Sequence, residues 1–294
     1  MGLVGYQHLN VTIRNGLKII RFNRPSKKNA INSKMYLEIK DALEESIKDE
    51  SVVITALTGT GEYYSSGNDI SSFAEFAQKD IDVVIQETSM NLQFSLAFFQ
   101  DVLHAAPASR ASSNSRNSFW ISNLRKFISV FIDFPKILVA VVNGPAIGIA
   151  ATTLGLCDIV YASDKASFST PFTSLGLSAE GCSTYTFPRI MGSSLAGEML
   201  YFNRRLSAVE AKQCGLVSTI FPNESLAQEI WPKLEEMAQL PVKSLLYTKR
   251  LLRRWDSESL HKACAAECKQ LEERWQSEDC LNAVANFLQR RSKL

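Results

Sequence analysis

Hydrophobic and polar residues alternate in two short runs near the start of the chain, residues 8–14 and 17–22. Alternation over runs of this length is typical of β-strands that bury one face. Asn15 and Gly16 join the two runs, and an Asn-Gly pair is a strong signal for a tight turn. The pattern therefore predicts an N-terminal β-hairpin.

Helical and strand-like segments then follow one another. Between residues 34 and 47, apolar residues recur at helical spacing, at Tyr36, Ile39, Leu43 and Ile47. Ser33 precedes this segment and is predicted to cap the helix. The apolar runs 52–57 and 137–142 each end in a glycine-containing turn and predict buried strands. Strands that alternate with helices indicate a layered α/β fold with parallel strands.

The last third of the chain is predicted to be helical. Apolar residues recur at helical spacing in segments 208–214, 226–240, 242–253, 260–276 and 279–290. Pro241 separates two of these segments, because proline cannot continue a helix. We therefore divide the chain into a core, residues 1–205, and a helical C-terminal region, residues 206–294.

The segment 87–119 does not fit this alternation. It contains an apolar run, residues 92–103, and then a stretch rich in Ser, Ala, Asn and Arg, residues 105–118. That composition predicts a flexible loop. So long a loop is uncommon inside a compact domain. The family resemblance given below implies that the segment near 87–119 is an insertion.

Composition narrows the classes of function. The chain has 294 residues, is 46% hydrophobic and carries a net charge of +2, so nothing favours a nucleic-acid partner. No apolar window approaches the ~20 residues of a membrane span. Residues 1–10 lack the pattern of a secretory signal or a transit peptide. The six cysteines form no CxxC pair and predict reduced thiols and no metal site.

The chain ends in Ser292, Lys293 and Leu294. A C-terminal Ser-Lys-Leu is the address that the peroxisomal import receptor reads. We therefore expect a peroxisomal protein that binds this receptor, and the sequence leaves a mitochondrial form open.

Four segments together resemble the crotonase (enoyl-CoA hydratase/isomerase) superfamily. They are Asn23-Arg24-Pro25 with Lys28-Asn29-Ala30, Tyr64-Ser65-Ser66-Gly67-Asn68-Asp69-Ile70, Val142-Asn143-Gly144-Pro145-Ala146-Ile147-Gly148, and Cys157-Asp158-Ile159-Val160-Tyr161-Ala162. Their order and spacing match over nearly the whole chain. The resemblance implies a crotonase-type β/α spiral with a helical C-terminal region that forms a homotrimer and covers the active site.

The resemblance also implies a reaction on an acyl-CoA. In this family a proton leaves the carbon next to a thioester, and two backbone N–H groups stabilise the resulting enolate oxygen. The motifs match these donors to Asn68 and Ile149. Gly67 and Gly148 precede them, and glycine lets the chain turn where a ligand approaches the backbone closely.

The base is assigned by the same resemblance. Relatives that hydrate the double bond use two glutamates, whose positions here hold Thr152 and Phe172, so hydration is not expected. Residues 178–183, followed by Phe187-Pro188-Arg189, resemble the Δ3,Δ2-enoyl-CoA isomerases of the family, which use one glutamate, at the position of Glu180. Its apolar neighbours predict a raised pKa, suited to proton transfer.

The family places the CoA moiety along Lys28, Ala30, Ser66, Gly67, Asn68, Asp69, Ile70 and Gly148. CoA is then part of the substrate, and no metal or redox cofactor is implied. The leading interpretation is isomerisation of 3-enoyl-CoA to 2-enoyl-CoA in the breakdown of unsaturated fatty acids. Three alternatives stay open: dienoyl-CoA isomerisation, thioester hydrolysis, and binding of acyl-CoA without catalysis.

Overall fold

The computed structural model describes residues 5–69, 107–280 and 282–284. Within them, the strands are β1 Leu9–Arg14, β2 Leu17–Phe22, β3 Ile54–Gly59, β4 Ile137–Val142, β5 Ala146–Ile147, β6 Ile159–Ser163, β7 Ser167–Ser169, β8 Leu206–Ser207 and β9 Thr219–Phe221. The helices are α1 Ser33–Lys48, α2 Pro107–Ile132, α3 Ile149–Thr152, α4 Ser183–Met191, α5 Ser193–Phe202, α6 Ala208–Gln213, α7 Leu226–Met237, α8 Val242–Arg253 and α9 Ser257–Trp275.

The main sheet has six strands in the order β1-β2-β3-β4-β6-β9. Only β1 runs antiparallel to its neighbour, and the other pairs in this sheet are parallel. The predicted hairpin is confirmed: Asn15 and Gly16 both have positive φ, 48° and 82°, which the tight turn between twisted strands requires. A small second sheet has the order β5-β7-β8.

Helices cover both faces of the main sheet. Alternate strand residues point to opposite faces, so Ile20 and Leu57 join the apolar cluster beneath α1 and α2. Leu17 and Ala56 join a second cluster that includes the buried face of α7. A mainly parallel sheet buried on both faces is the α/β architecture that the sequence predicts.

The C-terminal predictions are largely confirmed. Helices α6 to α9 correspond to the predicted segments 208–214, 226–240, 242–253 and 260–276, and of segment 279–290 the structure describes helix at 278–280 and 282–284. This region also contributes β8 and β9 to the two sheets. The domain division at residue 205 stays a prediction. No helix in the described ranges combines the length and apolarity needed to cross a membrane.

The predicted cap of α1 is wrong by one residue. Asn32, and not Ser33, is the N-cap, and its Oδ1 accepts the Met35 N–H at 2.9 Å. Both residue types are good caps. The backbone decides between them, because Asn32 is extended whereas Ser33 already belongs to the helix.

The predicted loop at 105–118 is also wrong where the structure describes it, because residues 107–118 form the first half of α2. The second half of α2 buries Leu124, Phe127, Ile128 and Phe131 in the core, and the helix packs against α1 and α9. Ser and Asn cost a helix only about 0.5 kcal/mol per residue. Packing of the second half is therefore sufficient to extend the helix through the polar stretch. The apolar run at 92–103 lies outside the described residues.

Candidate active site

Three loops meet at one edge of the main sheet. They follow β2, β3 and β4, and the carboxyl ends of parallel strands lie together. The Ile31 N–H donates to the Gly67 carbonyl at 2.8 Å, and the Ile147 N–H donates to the Ser65 carbonyl at 3.0 Å. The loop after β3 therefore lies between the other two and is bonded to both.

The two predicted N–H donors lie in the second and third of these loops. Gly67 and Gly148 precede them with φ of 81° and 59°, a conformation that glycine adopts without strain. A Cβ on Gly67 would lie 2.5 Å from the Ile147 carbonyl oxygen, so this turn requires glycine. Within the described residues, the N–H groups of Asn68 and Ile149 donate no hydrogen bond to the protein. They can therefore bind an oxygen of a ligand.

Glu180 contacts Asn68, and the residue after it lies close to Ile149. Its side chain is buried, with 2% of the residue exposed, just before the turn that begins α4. Asn68 Nδ2 donates to Glu180 Oε1 at 3.2 Å. A Cβ on the following residue, Gly181, would lie 3.2 Å from Ile149 Cδ1. The structure thus brings together the three residues that the sequence analysis assigns to catalysis.

The electrostatics of Glu180 are dominated by burial. The pKa of Glu180 is raised from 4.5 to about 8, first by burial and second by the negative charge of Glu267. The hydrogen bond from Asn68 acts in the opposite direction, because it stabilises the ionised form. The expected rise in pKa is confirmed, and it gives a carboxyl that both takes and returns protons near neutral pH.

Tyr36 orients the side chain of Asn68, a role that the sequence analysis missed. Its hydroxyl donates to Asn68 Oδ1, so the amide Nδ2 is the end that faces Glu180. Burial raises the pKa of Tyr36 well above its usual value, which keeps the hydroxyl protonated as a donor. In the sequence Tyr36 is visible only as one apolar position of α1.

The two positions that hold glutamate in hydrating relatives also lie here. Phe172 Cε1 is 3.8 Å from the place of a Cβ on Gly148, and a Cβ on Gly181 would overlap the Thr152 hydroxyl. Thr152 and Phe172 are both buried. Neither can ionise as a carboxyl group, so neither supplies a second acid to the site.

The first loop carries two of the predicted CoA-binding residues. Lys28 is exposed, with its Nζ 5.0 Å from the centre of the Tyr63 ring, and its carbonyl accepts the Ser66 N–H at 2.9 Å. The buried Asn29 side chain fixes the loop by donating to the carbonyls of Thr60 and Tyr63, at 2.9 and 2.8 Å. Lys28 and Ser66 are therefore neighbours across the loops.

The side chain of Arg24 links Ala30 and Asp69, two further residues predicted to bind CoA. Its guanidinium pairs with Asp69 at 2.9 Å and also donates to the Ala30 carbonyl. Ala30 and Asp69 are therefore held on the same side of the site. Ile70 lies outside the described residues.

A second buried carboxyl, Glu267 of α9, was not found from the sequence. Its Oε2 accepts the Cys182 N–H at 2.7 Å, directly after the Glu180-Gly181 pair. One signal could have identified it, because a charged residue is unusual in the apolar stripe of a helix. The other members of that stripe are Leu260, Cys264, Cys268 and Leu271.

Comparisons with known proteins agree with this geometry. The family model described as enoyl-CoA hydratase/isomerase matches residues 12–107 and 106–293. The human protein named enoyl-CoA delta isomerase 2 is 46% identical over 290 residues, which cover 99% of this chain and 65% of that protein. The chain therefore spans just under two thirds of the human relative. Mouse enoyl-CoA delta isomerase 3, peroxisomal, is 42% identical over 96% of this chain and 78% of its own length.

Solved structures share the fold. A crystal structure described as enoyl-CoA hydratase/isomerase from Pseudoalteromonas atlantica superposes with a TM-score of 0.78 and is 28% identical, covering 97% of this chain and 98% of its own. This likeness confirms the predicted crotonase-type fold with a helical C-terminal region.

Proposed function

The chain belongs to the enoyl-CoA hydratase/isomerase family, and we propose that it is a Δ3,Δ2-enoyl-CoA isomerase. One observation carries the proposal: the buried Glu180 carboxyl accepts a hydrogen bond from the side chain of Asn68, and the N–H groups of Asn68 and Ile149 have no acceptor among the described residues. The relatives named enoyl-CoA delta isomerases support the same reaction.

In the proposed reaction, the thioester oxygen of a 3-enoyl-CoA accepts hydrogen bonds from Asn68 and Ile149. Ionised Glu180 takes a proton from C2, the electron pair of that C–H bond moves between C1 and C2, and the oxygen becomes negative. The same carboxyl then gives its proton to C4. The π pair of the C3–C4 bond forms the new C4–H bond, the C1–C2 pair moves to C2–C3, and a pair from the oxygen restores the C1–O double bond. Fixed donors of this kind are typically worth about 10²–10³ in rate each.

The neighbouring residues favour isomerisation over hydration. Hydration requires a second acid or base to activate water, and Thr152 and Phe172 provide none. Isomerisation needs only one carboxyl, since the proton removed is also the proton returned. The proposed step therefore requires no metal or redox cofactor, and CoA enters as part of the substrate.

We place the CoA moiety along the first two loops, at Lys28, Ala30, Ser66 and Asp69, with Ile70 next in sequence. The exposed Lys28 ammonium can neutralise a phosphate group of CoA. The acyl thioester then extends toward the N–H groups of Asn68 and Ile149, which directly follow Gly67 and Gly148.

We also propose that the protein acts in the peroxisome, in the β-oxidation of unsaturated fatty acids. The mouse relative is named peroxisomal, and Ser292, Lys293 and Leu294 match the signal for the import receptor. A fluorescent fusion that keeps this C-terminus should enter peroxisomes, and a cytosolic fusion would contradict the proposal.

A homotrimer is the expected assembly. Large apolar side chains are exposed on α8 and the turn after it, namely Tyr247, Leu251, Leu252 and Trp255. Exposed apolar patches mark contact surfaces. Light scattering of the purified protein should give three times the chain mass, and a monomer mass would contradict this assignment.

The reaction is tested by turnover of trans-3-enoyl-CoA to trans-2-enoyl-CoA. The Glu180→Gln variant should lose turnover and keep acyl-CoA binding, because the amide fills the same volume but cannot accept a proton from carbon. Glu258→Gln is the matched control, since Glu258 is exposed on α9 and pairs only with the solvent-exposed Lys262 in the described contacts. Binding without turnover in the wild type would refute the proposal and favour a non-catalytic acyl-CoA-binding protein.

A further inference from the structure

Glu267 is a buried carboxyl that the proposed proton transfer does not use. It extends from α9 and is 5% exposed. Its Oε2 accepts the Cys182 N–H at 2.7 Å, and its Oε1 accepts the Thr184 N–H at 2.9 Å and the Thr184 hydroxyl at 2.6 Å. One carboxylate therefore binds three donors on the chain that follows Glu180.

The chain that follows Glu180 needs this support. Gly181 and Cys182 are consecutive residues with positive φ, 73° and 61°, and a non-glycine residue in that region is strained. The N–H groups that Glu267 accepts belong to the start of α4, where a helix leaves its first N–H groups without partners. Cys182, the N-cap, makes no capping bond with its own side chain. Glu267 supplies the cap from another helix.

We propose that Glu267 is a positioning residue of the active site: by binding the backbone of Cys182 and Thr184, it fixes the direction in which the Glu180 carboxyl faces the two N–H donors. This inference deepens the proposed isomerase function and rests on it. Within the described residues, the other hydrogen bond from this turn to α9 is the longer one from the Cys182 thiol to the Leu260 carbonyl, at 3.4 Å. The remaining backbone bonds of the turn stay within its own chain segment, such as that of Ser183 to the Glu180 carbonyl.

The charge of Glu267 has a separate effect on the base. After burial, it is the second cause that raises the pKa of Glu180. The other titratable groups facing this pair of carboxyls are the hydroxyl of Tyr36 and the thiols of Cys182, Cys264 and Cys268. Removal of the Glu267 charge should therefore lower the pKa of Glu180, while the loss of its hydrogen bonds loosens the turn.

These two effects give Glu267→Gln a distinctive signature. An amide cannot accept from both Cys182 and Thr184 through separate oxygens, so one backbone bond is lost. We expect kcat to fall about tenfold to a hundredfold, as a displacement near 1 Å does. The acid limb of the pH profile of kcat/KM should move to lower pH in this variant, because the base, Glu180, ionises more easily.

The matched control is Glu258→Gln, which also removes one carboxylate from α9. Glu258 lies nine residues earlier, on the opposite side of the helix and roughly 13 Å along its axis. This variant should keep the wild-type kcat and pH profile. A purely structural role for Glu267 predicts a lower yield of folded enzyme with an unmoved acid limb, and that result would overturn the inference.

Thr184 gives a second test that leaves both carboxyls in place. Thr184→Val removes the hydroxyl donor to Glu267, whereas Thr184→Ser keeps it. We expect kcat to fall several-fold in the valine variant and to be restored in the serine variant. Equal kcat values in wild type, Thr184→Val and Thr184→Ser would argue against positioning through Glu267.

An infrared titration separates this inference from the proposed function, because it needs no turnover. The band of the protonated Glu180 carboxyl is identified by its loss in Glu180→Gln. Its titration midpoint should be lower in Glu267→Gln than in wild type, and an unchanged midpoint overturns the inference. A wild type without isomerase activity would instead overturn the proposed function, while the midpoint shift would still decide the role of Glu267.

Discussion

Replacement of Glu180 by glutamine should stabilise the fold, and increasingly so as pH rises. Burial, and after it the charge of Glu267, raises the pKa of this carboxyl from 4.5 to about 8 in the folded chain. In the unfolded chain the group is solvated and keeps its ordinary pKa. Between these two values the folded protein holds a proton that the unfolded chain has released, so the free energy of unfolding falls as pH increases.

The magnitude follows from the difference in pKa. A rise of about 3.5 in pKa, at 1.36 kcal/mol per pH unit, corresponds to a loss of about 5 kcal/mol above pH 8. The full contribution of Glu180 to stability is present below about pH 4.5 and is lost as pH passes through about 8. Glutamine carries no charge and can still accept the hydrogen bond from Asn68. The free energy of unfolding of the variant should therefore equal that of the wild type near pH 5. Near pH 9 it should be higher than that of the wild type by up to about 5 kcal/mol.

The assay is urea unfolding at fixed protein concentration between about pH 5 and pH 9, followed by circular dichroism, without acyl-CoA. Fixed concentration matters because subunit association would add to the apparent stability. Glu258→Gln should follow the pH dependence of the wild type, since Glu258 is exposed. A difference between Glu180→Gln and wild type that stays constant across this range would refute the reasoning, because it would mean that Glu180 titrates alike in the folded and unfolded chains.

Two further predictions concern single side chains. Asn68→Ala keeps the backbone N–H but removes the side-chain hydrogen bond that stabilises ionised Glu180. The acid limb of the pH profile of kcat/KM should therefore move to higher pH. A move to lower pH would contradict the role assigned to this hydrogen bond. Asp158→Ala leaves the buried Lys249 ammonium without the carboxylate that it contacts at 2.7 Å. The free energy of unfolding in urea should fall by about 3–5 kcal/mol. A fall of less than about 1 kcal/mol would show that water solvates Lys249.

The strands and their hairpin could be predicted because their signals are local. The Asn15-Gly16 pair adopts the two positive φ values that its turn requires, and alternation in β1 and β2 needs no distant information. The first half of α2 could not be predicted in this way. Its polar residues favour a loop, and only the packing of Phe127 and Phe131 in the second half shows that a helix continues there.

The site was accessible from sequence where short motifs carry it. Gly67 and Gly148 mark their turns, and Glu180 follows from the family resemblance. Glu267 was not accessible, because the residue that it binds, Cys182, is 85 positions away and the contact depends on how α9 crosses the start of α4. No local pattern encodes that crossing.

Glu180 and Glu267 are neighbouring buried carboxyls, and neither has an ion-pair partner among the described residues. Burial of two carboxyls in this way lowers the free energy of unfolding. Stability alone would favour apolar residues of similar size at both positions. The two proposals give each carboxyl a chemical reason: Glu180 acts in them as a desolvated base, and Glu267 fixes the backbone that directs this base toward the substrate. Burial raises the pKa of Glu267, and the three hydrogen bonds from the chain after Glu180 act in the opposite direction because they stabilise the ionised carboxyl. The cost in stability and the proposed proton transfer therefore have the same physical origin, which is the exclusion of water from this turn.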